Sequence, residues 1–224
     1  MNLQKRRMNS PPKAGPPKAE RPGKVGLTGG IGSGKTLVGN IFLKLGIPVF
    51  RADEVAKEIL EKNKEVKKKV IRYFGNHVLN KNGSVNKKKL AQIVFGNPGA
   101  LSRLNAILHP VTRKKYRIWV AKFRETAYTV KEAAILFESG ADADVDCAIM
   151  IFCPQEMRIQ RVIERDGVTR EAVLKRMEHQ WPDDEKMKRC EFVIVNDAKN
   201  PVLPQVLKIH EKLMKVMDEK PVNV

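Results

Sequence analysis

With 224 residues, 42% of them hydrophobic, the chain has enough apolar material for a real core, which excludes wholesale disorder and suits one compact α/β unit with small inserted subdomains. No apolar run approaches the length that spans a bilayer and the N-terminus lacks the apolar stretch of a secretory signal, so a cytoplasmic protein without a membrane partner is expected. A net charge of +18 calls for a polyanionic partner, either nucleic acid or multiply phosphorylated small molecules, yet aromatic residues make up only 6% and are not interleaved with basic ones as a base-stacking surface requires.

Residues 1–23 are rich in Pro, Lys and Arg and poor in large apolar side chains, which predicts a disordered basic tail. From Lys24 the pattern changes. Lys24 to Thr28 reads as a short buried strand, followed by a glycine-rich turn and a helix from about Lys35 to Leu45. Ile41, Phe42 and Leu45 share one face of that helix, and Gly46 stands where a helix stop belongs. Ile47 to Phe50 reads as a second strand, and this strand–turn–helix–strand order implies parallel pairing with a right-handed crossover. The stretch from about Glu54 to Glu125 is mostly helical: Val66, Val70 and Phe74 fit helical spacing, as do Leu90, Ile93 and Val94, then Leu101, Leu104 and Leu108. Basic runs at Lys67 to Lys69, Lys87 to Lys89 and Arg113 to Lys115 are either solvated helix faces or contacts to an anionic ligand. Ala133 to Phe137, Ala148 to Phe152 and Phe192 to Val195 are short apolar runs without polar alternation, as expected for strands covered on both faces. The sum is an α/β fold, a doubly wound parallel sheet of five strands.

Cys147, Cys153 and Cys190 form no C-x-x-C pair and are expected to be incidental thiols. The four histidines are scattered without metal-ligand spacing, so no zinc site is expected.

The chemistry is concentrated in Gly29 to Thr36 (GGIGSGKT), which matches the phosphate-binding pattern G-x-x-x-x-G-K-[ST] between a predicted strand and a predicted helix. Gly30, Gly32 and Gly34, with Ser33, let successive N–H groups converge on phosphate oxygens, and the helix adds its positive end. Lys35 can bridge the β- and γ-phosphates, and the Thr36 hydroxyl can ligate Mg²⁺. A nucleoside triphosphate with Mg²⁺ is therefore the expected co-substrate.

Reading outward, Val25 to Lys35 (VGLTGGIGSGK), Ala52-Asp53 after the second strand, Leu104 to Pro110 (LNAILHP), Ile135 to Ser139 (ILFES), Arg161 to Gly167 (RVIERDG) with Arg176 and Gln180, and Phe192 to Asn196 (FVIVN) follow one another as in the dephospho-CoA kinase family, which the chain resembles from Lys24 to its C-terminal helix. The resemblance implies a P-loop kinase-like fold with an acceptor-binding helical insertion (about 54–125) and a helical lid (about 156–185). It implies transfer of the ATP γ-phosphoryl group to the ribose 3′-hydroxyl of dephospho-CoA; a monomer or weak homo-oligomer is expected. Asp53, at the mouth of the crevice, is then the group that receives or orients the attacking hydroxyl's proton, although it could also cap the helix that runs through Val55 and Ile59. Lys35 and Arg165 complete the catalytic set, with Arg161, Leu37 and Asn196 toward ATP and Thr28, His109 and Gln180 toward the acceptor. Arg158, on the same helix face as Arg161 and Arg165, is expected to be ordinary surface. Glu138, expected at the end of the third strand, either reaches Mg²⁺ through water or forms a structural salt bridge. Three positions depart from the family pattern: Arg51 where an aspartate is frequent, Ala134 where a proline is frequent, expected to alter only local rigidity, and Leu37 where a hydroxyl residue is common. The competing readings are another small-molecule P-loop kinase, such as a nucleoside monophosphate kinase, and a basic ATP-binding module that grips nucleic acid.

Overall fold

A computed structural model describes residues 22–218. Most of the expected basic tail lies outside the described residues. Its last residue, Gly23, instead opens the first strand, and Pro22 before it is already buried.

Five parallel strands form one sheet in the order β2-β3-β1-β4-β5: β1 (Gly23–Thr28), β2 (Val49–Arg51), β3 (Tyr128–Glu132), β4 (Cys147–Phe152) and β5 (Phe192–Val195). In register, Val25 faces Val130 on one side and Cys147 on the other, so β1 is the central strand. Around the sheet run α1 (Lys35–Lys44), α2 (Ala52–Lys62), α3 (Lys64–Phe74), α4 (Lys87–Phe95), α5 (Pro98–Val120), α6 (Gln155–Asp166), α7 (Arg170–Met177), α8 (Asp183–Met187) and α9 (Val202–Asp218). None of the described helices is long and apolar enough to cross a membrane.

The expected third strand is displaced by one segment. Tyr128–Glu132 forms β3, and the apolar run beginning at Ala133 is the turn that follows it. Lys131 and Glu132 disguised the strand, because charged residues normally mark solvent. Here both are buried and partnered: Lys131 with Asp144 at 3.3 Å, Glu132 with Thr36. The ladder continues only as far as Ala133, whose N–H donates to Leu27 O. Leu136 then folds back over the sheet, where a methyl group on Gly26 would come within 2.6 Å of it.

Two main cores result. Val25, Leu27, Val130, Ile149, Ile151 and Ile194 of the sheet pack with Val38 and Phe42 of α1 and Val206 and Ile209 of α9. The segment between β2 and β3 has a core of its own, built from Ile59, Val66, Val70, Phe74, Leu90, Leu104 and Leu108 among others, which bears out the helical periodicity read there. A smaller cluster joins α6 and α7 through Ile159, Val162 and Val173, and Ile31 of the glycine-rich loop packs against it. Three helices of the insertion, α3, α4 and α5, are capped by asparagines, Asn63, Asn86 and Asn97, each accepting from an amide of the first turn, and Thr169 caps α7 in the same way.

Candidate active site

The glycine-rich loop runs from the carboxyl end of β1 into α1, whose N-cap, Gly34, is left-handed and offers no side-chain cap. The amides at this helix start are thus left for an incoming anion. Two glycines are required by space as well as by conformation. At Gly32, with φ +78°, a Cβ would lie 2.5 Å from Arg158 O; at Gly34, with φ +98°, it would lie 2.3 Å from Asn196 Nδ2. Asn196 donates from that nitrogen to Ser33 O at 2.8 Å, so the residue expected to meet the nucleotide also braces the loop from below.

Lys35 curls back over the loop, donating to Gly29 O at 2.9 Å and Gly30 O at 3.0 Å. Burial lowers its pKa to about 8, a fall restrained by the negative charges of Asp53 and Glu132. Thr36 Oγ1 donates to Glu132 Oε1 at 3.3 Å. The other oxygen, Glu132 Oε2, lies 3.5 Å from Arg51 Nε, and neither atom has a hydrogen-bond partner among the described residues although both are buried. Burial raises the Glu132 pKa, while Lys35 and then Arg51 pull it down. Thr28 Oγ1 and Ser33 Oγ are likewise buried without partners. Of these, Glu132 Oε2 and Arg51 Nε face each other at the carboxyl ends of β3 and β2 beside Thr36, while Ser33 Oγ lies toward Ile151 of β4.

Glu132, and not Glu138, ends the third strand. Glu138 sits in the following turn and pairs with the fully buried Lys186 at 2.6 Å, which is the structural salt bridge, and it also accepts from Trp181 N at 2.8 Å. Sequence reasoning missed Glu132; the Thr129-Val130 pair preceding it, β-branched and adjoining the helical stretch, was the available signal. A threonine hydroxyl beside a carboxylate with an unused oxygen is a hard-oxygen donor set, and Mg²⁺ is commonly held by one or two such groups together with substrate phosphates. The residues present fit that ion.

Asp53 lies inside the first turn of α2, with Arg51 at the cap position, so it is not the helix N-cap. Its Oδ2 accepts from Ala134 N at 3.4 Å. A proline at 134 has no N–H, so alanine there does more than alter backbone rigidity. Arg51 also donates to Asn40 Oδ1 at 2.5 Å.

Arg158 is corrected from surface to interior. It is 6% exposed, donates from Nε to Cys153 O and from Nη2 to Asp183, and lies so close to Gly30 that any Cβ there would clash with its guanidinium. Helical spacing shows which arginines share a face but cannot show that part of this face lies under a loop. Arg161 reaches Cys153 Sγ at 3.4 Å. Arg165, at the end of α6, is outward-facing and holds Asp166 in a two-point pair, 2.7 Å at the closer contact. Leu37 is 50% exposed. His109 is partly buried on α5, and burial followed by the charges of Arg113 and Lys131 lowers its pKa. Gln180 has both ends of its amide engaged by protein: Oε1 accepts from Ile31 N at 2.8 Å and Nε2 donates to Ala134 O at 3.3 Å.

A phosphate-binding loop between a central parallel strand and its helix, a half-buried lysine, and carboxylates at the end of β3 and just past β2 define a P-loop kinase. The dephospho-CoA kinase family profile matches residues 24–201, and the chain belongs to that family. Dephospho-CoA kinase of Bacteroides fragilis (strain YCH46) is 36% identical over 186 residues, covering 83% of this chain and 90% of that relative. The Fusobacterium nucleatum enzyme of the same name is 38% identical over 174 residues, covering 78% and 89%. Among solved structures, dephospho-CoA kinase from Campylobacter jejuni shares 28% identity with a TM-score of 0.62, and a Thermus thermophilus protein shares 30% with a TM-score of 0.75; each comparison covers 86% of this chain and 98% of the other.

Proposed function

We propose that the chain transfers the γ-phosphoryl group of ATP to the ribose 3′-hydroxyl of dephospho-CoA, giving CoA and ADP, as a cytoplasmic enzyme with neither nucleic acid nor membrane as partner. Family membership supports the acceptor, and one juxtaposition carries the chemistry: Asp53, Lys35 and the Thr36–Glu132 pair meet at one crevice mouth.

In this reading the loop amides at Gly30, Gly32 and Gly34 to Thr36 hold the ATP phosphates, Ile31 N–H being taken by Gln180 and Ser33 N–H by Gly30 O, and Lys35 bridges the β and γ groups. Thr36 and Glu132 would hold Mg²⁺, which when bound neutralises charge on the transferring phosphoryl group. Asp53 orients the acceptor hydroxyl and takes its proton. Arg161 and Arg165 bring guanidinium groups to the polyphosphate as the lid closes, Arg165 leaving Asp166 to do so. Leu37 and Asn196 lie on the nucleotide side, and Thr28 and His109 on the acceptor side. The insertion supplies the acceptor's electrostatic surface: residues 54–125 hold eighteen Lys and Arg against five Glu, +13 of the chain's +18. Closure of insertion and lid excludes water and suppresses ATP hydrolysis.

The test is ADP release with Mg-ATP and dephospho-CoA, AMP, CMP or no acceptor, in wild type and Asp53→Asn. Turnover only with dephospho-CoA, at least about 100-fold lower in Asp53→Asn, is expected for loss of a general base. Turnover with a nucleoside monophosphate instead would retain the P-loop chemistry and discard the acceptor. Absence of any acceptor-dependent turnover, with a salt-sensitive gel shift on RNA or DNA, would favour a nucleic-acid module.

A further inference from the structure

Gln180 links the phosphate loop to Ala134, just past the point where the ladder between β1 and β3 ends at Ala133. Ile31, whose N–H it accepts at 2.8 Å, is the third residue of the loop, next to the Gly29 and Gly30 carbonyls that hold Lys35. Lys35 spans the β- and γ-phosphates in P-loop kinases, so this half of the loop flanks the γ end of the nucleotide, whereas the helix start at Gly34 faces the inner phosphates. The other end of the Gln180 amide donates at 3.3 Å to the carbonyl of Ala134, the residue whose own N–H donates to Asp53. Lys186 Nζ donates to the same carbonyl at 3.0 Å and is itself fixed by Glu138, so the anchor on this side is buried and held. An amide side chain is the group this position needs, with one acceptor and one donor on a short planar frame.

We infer that Gln180 is a positioning residue that sets the distance between the γ end of the phosphate loop and Asp53, by tying Ile31 to the turn after β3. The inference rests on the kinase reading above and assigns Gln180 a role exerted through the protein atoms it holds. Proximity effects make such a role visible, because a misplacement of about 1 Å costs on the order of 100-fold in rate. Loss of the tie lowers kcat and leaves binding of the inner phosphates intact.

The experiment measures kcat and the KM of each substrate by ADP release, ADP affinity by calorimetry and Tm, for wild type, Gln180→Leu, Gln180→Glu, Asp53→Asn and the Asp53→Asn/Gln180→Leu double variant. Expected are a kcat lowered about 10- to 100-fold in Gln180→Leu, ADP affinity and acceptor KM within about twofold of wild type, and little further loss when the change is added to Asp53→Asn. Gln180→Glu retains an oxygen for Ile31 N–H but no donor for Ala134, and shares the loss. Wild-type kcat in Gln180→Glu, a fall in ADP affinity matching the fall in rate, a rise confined to the acceptor KM, or effects of Asp53→Asn and Gln180→Leu that multiply would each overturn the assignment. Failure of the kinase reading itself is seen separately, as wild-type enzyme without dephospho-CoA-dependent turnover.

Discussion

Glu132 illustrates how one carboxylate can be tuned by its neighbours. Burial favours its neutral form, and Lys35 and Arg51 oppose that by favouring the anion. Only the anion serves the role given to it, so activity falls as pH drops through its pKa. Arg51→Ala removes one of the two cations, raises that pKa and moves the acidic limb of the kcat profile to higher pH; the pH–rate curve of the variant checks both sign and size. An unmoved limb would show that Glu132 does not titrate in catalysis. The loop itself was legible from sequence because its glycine spacing is imposed by backbone angle and by the atoms of Arg158 and Asn196 pressed against it. Glu132 was not legible, since a buried acid is recognisable only once its partners are known, and Thr36 and Arg51 lie far from it in sequence.

Among elements, the turn from Ala133 to Gly140 differs most from its appearance. An apolar run of this length satisfies a buried strand as well as a buried turn, and periodicity cannot separate the two. What fixes the turn is polar: Lys186 from α8 reaches Glu138 and the Ala134 carbonyl, and Trp181 N reaches Glu138. Breaking such a pair from one side leaves an uncompensated buried charge, so Lys186→Met is expected to destabilise the fold by about 3–5 kcal/mol. Adding Glu138→Leu should recover much of that loss, and urea unfolding of both variants is the check. β1, β4 and the helical insertion matched their patterns because these strands and the α3 stripe of Val66, Val70 and Phe74 carry apolar residues where the geometry buries them. By contrast β5, expected to be covered on both faces, is an edge strand with Val193 exposed, and β2 begins two residues later than expected, at Val49.

For the molecule as a whole, the surplus positive charge is concentrated in one part, the helices between β2 and β3. Some of these lysines have local partners: Lys68 pairs with Glu65 at 3.0 Å and Lys62 with Glu58 at 3.2 Å, contacts that are solvent-exposed and individually weak. In the function proposed above, the remaining charge would act as a field that draws a multiply phosphorylated acceptor toward the crevice. Charge reversal at Lys67 to Lys69 and Lys87 to Lys89 is therefore expected to raise the dephospho-CoA KM about tenfold at low ionic strength, with the gap closing as salt is added; an unchanged KM would remove the insertion from acceptor capture. The insertion also encloses an apolar cluster separate from that of the sheet. Such a segment can open as a cooperative unit while the sheet stays closed. Its amides then exchange with solvent sooner than those of β1 and β4, and a bound acceptor that spans both units slows them.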